Sequence, residues 1–117
     1  MLGFIEQNEY YAQLLKFINI YKPMTTASAR HILVSSEKAC QDLMTKIKAG
    51  EKTFESAAEE FSQCPSGKQG GDLGSFGPGM MVPEFDRVVF NEEVGMVHGP
   101  VQTQFGYHLL EITSRES

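Results

Sequence analysis

The chain has no tryptophan, two cysteines among its 117 residues, and no excess of positive charge. Each shortage excludes something. Two thiols, Cys40 and Cys64, are too few for a disulfide scaffold, and Cys40 falls within an apolar helical stripe, so a reducing, cytoplasmic compartment is expected. A formal net charge of −5 argues against nucleic-acid binding, which needs clustered Lys and Arg. No apolar run approaches the roughly 18 residues of a membrane span. No basic flank followed by an apolar stretch marks a secretory leader at the N-terminus. Cys and His show no zinc-type spacing, so neither metal nor cofactor is expected. With 41% apolar and 21% charged residues, one soluble domain is the natural reading.

What the chain has in abundance is glycine, concentrated in the run CPSGKQGGDLGSFGPGMMVPEF from Cys64 to Phe85. Such density signals tight turns or close approach of backbone to a neighbour. The run also carries a lone thiol at one end and an apolar group, Met81 and Phe85, at the other. A Met-Met pair after Gly77-Pro78-Gly79 suits the rim of a pocket better than a core, though plain packing is the simpler alternative.

Around this run the pattern alternates between strands and helices. Residues 5–20 carry apolar spacing for an amphipathic helix that Pro23 stops. Met24 is a plausible start codon, and residues 1–28 are read as an extension plus linker, with the domain proper spanning 29–117. Arg30 to Val34 reads as a strand with Ile32 and Val34 on one face and His31 and Leu33 on the other. Ser36 caps a helix bearing Ala39, Cys40, Leu43, Met44 and Ile47, which Gly50 ends, and Thr53 caps a second with Phe54, Ala57, Ala58 and Phe61. A short strand is expected at 72–76, a helix at 83–90 led by Pro83, and a closing hairpin over 99–113. Strand–helix–helix–strand–helix–strand–strand implies an α+β fold with an antiparallel sheet.

Two histidines, His31 and His108, lie inside predicted strands and are both followed by aliphatic residues. On neighbouring strands their imidazoles would face one another, with Thr103 placed to hydrogen-bond and fix a tautomer. The plain alternative is a pair of buried, satisfied core histidines. Cys64, beside Pro65, reads either as a small buried residue or as a nucleophile with a distant histidine.

Three segments together, ARHILV, FSQCPSGKQGGDLGSFGPGMMVPEF and GPVQTQFGYHLLEI, resemble the parvulin family of peptidyl-prolyl cis/trans isomerases, in its small single-domain form. The resemblance covers residues 29 to about 115. It implies a four-stranded antiparallel sheet surrounded by helices, and catalysis of X–Pro isomerisation that assists protein folding. Carried onto this chain, it makes His31, Cys64, Thr103 and His108 catalytic, and puts Leu73, Met81 and Phe85 around the substrate proline. Gln104 and Phe105 adjoin them. The implied partners are proline-containing peptides and unfolded protein segments, met by a monomer. One departure stands out. Phospho-specific members carry a basic loop after the first strand, whereas this chain has only Ser35-Ser36-Glu37-Lys38, so no phosphate requirement is expected. The alternatives are a non-catalytic proline-binding module or holdase chaperone, and, more remotely, a Cys–His hydrolase, for which no oxyanion-hole motif is visible.

Overall fold

A computed structural model of the chain describes residues 25–116; the helix expected at 5–20 lies outside them. Four strands form one sheet in the order β2-β1-β4-β3. They are β1 (Thr26–Val34), β2 (Asp72–Phe76), β3 (Val97–Thr103) and β4 (Gly106–Glu116), and every pairing is antiparallel. Helix α1 (Glu37–Lys48) and α2 (Phe54–Phe61) follow β1, and α3 (Pro83–Asn91) lies between β2 and β3. This is the α+β, four-stranded architecture the element order implied.

Strand β1 starts earlier than its sequence suggests. The small residues read as a linker up to 28 belong to the strand from Thr26 onward, pairing Ala27 with Arg115 on one side and Phe76 on the other. Alanine and serine carry little strand preference, but a central strand draws hydrogen bonds from both neighbours, and tertiary pairing overrides propensity. Ala27 and Ala29 are buried there, small enough to admit Phe76 and Val89 over the sheet.

The helices end where their caps dictate. Ser36 Oγ accepts the Ala39 amide and Thr53 Oγ1 accepts the Ser56 amide. Lys46 and Lys48 occupy the last turn of α1, complementing its dipole. The C-terminal carbonyls of α3 are met from the sheet: Arg115 Nη1 donates to Val89 O at 2.8 Å and Glu92 O at 2.7 Å. This ties the end of β4 to the helix that carries Phe85.

Alternation along β1 and β4 divides the apolar residues between the two faces of the sheet. Ile32, Val34 and Leu109 pack with Cys40, Leu43, Phe54, Ala57 and Ala58 beneath α1 and α2. Ala27, Ala29 and Leu110 pack with Phe76, Phe85 and Val89 beneath α3. His31 and His108 share this second face.

Candidate active site

The register of β1 and β4 brings the histidines together. His31 lies opposite Leu110 and Leu33 opposite His108, so the two imidazoles sit diagonally on one face. Their Nδ1 atoms are 3.1 Å apart, with the rings nearly parallel. Both are buried, and Phe85 stands edge-on to each, its centroid 5.6 Å from His31 and 5.9 Å from His108. Burial pulls the His31 pKa down to about 4, reinforced by repulsion from His108, and burial lowers His108 as well. At neutral pH the pair is uncharged.

Hydrogen bonds continue outward from both rings. On one side Thr103 Oγ1 lies 2.8 Å from His108 Nε2 and accepts the Phe105 amide at 3.1 Å. On the other, His31 Nε2 lies 3.1 Å from Ser66 Oγ, which in turn meets Cys64 Sγ at 3.4 Å. Ser66 was not singled out from the sequence. It enters because Pro65–Gln69 forms a 3-10 turn, started by Pro65, that swings Ser66 under the thiol. The available signal was a serine directly after a Cys-Pro pair.

This turn is locked onto β1. The His31 amide donates to Gly71 O and the Gln63 amide to Leu33 O, while Ser62 Oγ accepts from both Leu33 and Cys64 amides. Two glycines are required for the fit. A Cβ on Gly71 would lie 2.3 Å from the His31 carbonyl oxygen, at φ +84°, and one on Gly67 would lie 2.7 Å from Ala58 O. Gly71 thus allows close backbone contact with the histidine strand, and Gly67 with α2.

Above the imidazoles lies a cavity of about 370 Å³. Leu73, Met81, Val82 and Phe85 supply its apolar wall, Phe105 its rim, and Cys64, Pro65, Gln63 and Leu33 its remaining side, with His31 and His108 at the base. Leu33, Gln63, Pro65 and Val82 also escaped the sequence reading. Gln104 does not join them: both residues of the two-residue turn between β3 and β4 are exposed, and of the two only Phe105 borders the cavity. Thr103 is buried behind His108 and reaches the cavity only through that ring. The two thiols are free. Cys40 is fully buried, and burial with the nearby Glu37 carboxylate raises its pKa to about 11. Among the described residues, no three His, Cys, Asp or Glu side chains gather as a metal site would require.

An apolar pocket floored by neutral imidazoles and edged by one thiol defines a class of site built to hold an apolar group beside a polar one. The chain belongs to the PPIC-type peptidyl-prolyl isomerase domain family (Rotamase), the parvulins, whose pattern matches residues 21–114. It is 44% identical over 105 residues to the foldase protein PrsA of Geobacillus kaustophilus, covering 89% of this chain and 36% of that protein. The chain therefore spans about a third of the length of the curated relatives it matches. Its fold is similar to the crystal structure of PrsA from Bacillus anthracis, with a TM-score of 0.76, 36% identity, and coverage of 80% of this chain and 43% of that one. It is equally similar in sequence, at 36%, to the parvulin of Nitrosopumilus maritimus, with a TM-score of 0.70 and coverage of 80% of this chain and 100% of that one.

Proposed function

We propose that this domain accelerates cis/trans isomerisation of X–Pro bonds in unfolded or loosely folded protein segments, with no requirement for phosphorylation. The observation that carries the reading is the apolar cavity of Leu73, Met81 and Phe85 placed beside Cys64 and the His31–His108 pair.

The uncatalysed reaction is slow because rotation breaks amide resonance, a barrier of about 18–20 kcal/mol. No covalent bond need be made or broken, so the site has only to favour the twisted amide over the planar one. Leu73, Met81 and Phe85 hold the proline ring, whose burial contributes on the order of 1.5–3 kcal/mol. The carbonyl on the far side of the bond then rotates past Cys64. A twisted amide loses its dipolar resonance form, so a dry surrounding penalises it less than the planar ground state. Cys64 acts here as a polar partner to the rotating amide, beside the hydrogen-bonded chain of His31, His108 and Thr103.

The absence of a phosphate requirement rests on the connection after β1. It is only Ser35 and Ser36 before α1 begins at Glu37, and Lys38 is already paired with Asp42 at 3.1 Å. The rim instead offers an exposed apolar side chain, Phe105, suited to an apolar residue beside proline. The domain works as a monomer, its site complete within one chain, and its half-buried Cys64 thiol fits a reducing, cytoplasmic setting. The same exposed rim favours a second reading, a holdase that grips proline segments without turning them.

Exchange NMR on Leu-Pro and pSer-Pro peptides with catalytic amounts of protein separates these. Cis/trans cross-peaks that appear only with protein, at least as strong for Leu-Pro, support the isomerase. Shifted peptide resonances without faster exchange would hand the pocket to the holdase reading. A many-fold preference for pSer-Pro would overturn the phosphate-independent specificity.

A further inference from the structure

The hydrogen-bond chain through the site has a direction, and one residue outside the sequence-derived set determines where it ends. Thr103 Oγ1 already accepts the Phe105 amide, a donor that cannot be reversed. Thr103 is buried, and among the described residues His108 Nε2 is the only acceptor its hydroxyl hydrogen meets. Were His108 to donate instead, that hydroxyl hydrogen would be buried without a partner, a cost of about 1–3 kcal/mol. Thr103 therefore donates, and neutral His108 carries its proton on Nδ1. His108 Nδ1–H donates to His31 Nδ1, so His31 carries its proton on Nε2 and donates to Ser66 Oγ. The Ser66 hydroxyl hydrogen is then free to donate to Cys64 Sγ.

From this geometry we infer that Ser66 is a positioning residue for the isomerisation, resting on the functional reading above: its hydroxyl joins the histidine pair to the thiol and holds Cys64 Sγ in one orientation at the cavity edge. It touches both groups, with His31 on one side and Cys64 on the other. By occupying the sulfur with an O–H donor, it leaves the thiol hydrogen to the cavity side, where an amide passes. Without Ser66, His31 Nε2–H faces no acceptor and the Cys64 side chain loses its tether. The turn that carries Ser66 is also coupled to His31 through the backbone: Gly71 N–H donates to Ser66 O, and His31 N–H donates to Gly71 O, both at 2.9 Å. The position of Ser66 is thus set by the same contact that sets the histidine.

The test compares Ser66→Ala and Ser66→Thr with the native protein. The backbone bonds of the turn do not use the hydroxyl, so both variants retain the fold, as a thermal melt would verify. Long-range proton–nitrogen spectra of the imidazoles should show Nε2–H at His31 and Nδ1–H at His108 in the native protein. Ser66→Ala should leave both tautomers in place, since Thr103 sets them, but shift the His31 Nε2–H resonance upfield as its acceptor is lost, and lower kcat/KM about fivefold to tenfold, chiefly through kcat. Ser66→Thr, which keeps the hydroxyl, should restore that resonance and most of the rate. If Ser66→Ala leaves the His31 Nε2–H resonance unmoved, or keeps a rate within about twofold of native, the assignment is wrong. Native protein that lacks isomerase activity would sink the functional reading alone, because the resonance shift is measured without substrate.

Discussion

On one face of the sheet Ile32, Val34 and Leu109 are closed over by α1 and α2; on the other, the same two strands present His31, Leu33, His108 and Leu110 to α3, which covers only part of them. The closed face is apolar and needs no polar partner. The open face places two imidazoles where a core would have leucines, then satisfies them through Thr103 and Ser66. The cysteines follow the same division. Cys40 is a small apolar filler on the inner face of α1, whereas Cys64 stands at the cavity edge. A domain of this size commits one face to stability, and on the other it gives up close packing for a site.

The contrast is broken most forcefully by truncating one large side chain on each face. Ile32→Ala should cost about 2–5 kcal/mol of stability in a denaturant titration, while the folded fraction keeps near-native kcat/KM. Phe85→Ala should cost a similar about 3–5 kcal/mol and also remove the proline wall and the ring covering both histidines. Equal losses of activity per folded molecule in the two variants would erase the distinction between the faces.

Next in size is His108→Ala, which strands His31 Nδ1 and the Thr103 hydroxyl in a buried site. About 1–3 kcal/mol of stability should be lost together with rate, read from chemical denaturation and peptide exchange. Stability unchanged by this substitution would mean that the open face does not depend on its polar network.

A gentler perturbation is pH. Burial lowers both imidazole pKa values in the folded state, so below the ordinary 6.5 the unfolded chain binds more protons than the folded one. The stability held by neutral histidines is complete above that value and is lost as pH falls towards about 4 for His31. Urea midpoints should therefore drop between about pH 7 and about pH 4.5, more in the native protein than in a His31→Ala, His108→Ala double variant. Parallel pH curves for the two would show that the loss comes from elsewhere.

Smallest in energy, and sharpest as a label, is alkylation of the native protein by iodoacetamide followed by mass spectrometry. Cys64 should react while Cys40, sealed and with its pKa raised, reacts only after denaturation. Labelling of Cys40 in the native state would show that the closed face opens.

Helices, strands and caps were legible in the chain because they rest on local chemistry. Ser36 and Thr53 announce α1 and α2 by their hydroxyls, Pro83 starts α3, and alternation about Ile32 divides β1 between the faces. The early start of β1 at Thr26 was not legible, since its alanines and serines become a strand only by pairing with Phe76 and Arg115. Among candidate site residues, Leu73, Met81, Phe85 and Phe105 meet at one cavity, while Gln104, the other exposed residue of the β3–β4 turn, does not border it.

By itself, then, the amino-acid sequence determined which residue types were available for this site and which short segments would carry them, since periodicity and capping act over a few residues. Only the tertiary structure decided that His31 and His108, 77 positions apart, share a hydrogen bond, that Ser66 joins them to Cys64, and that Gly71 must be bare against the His31 carbonyl. Those contacts depend on strand register and on backbone approach at the scale of an ångström, and no property of a short stretch of chain specifies either.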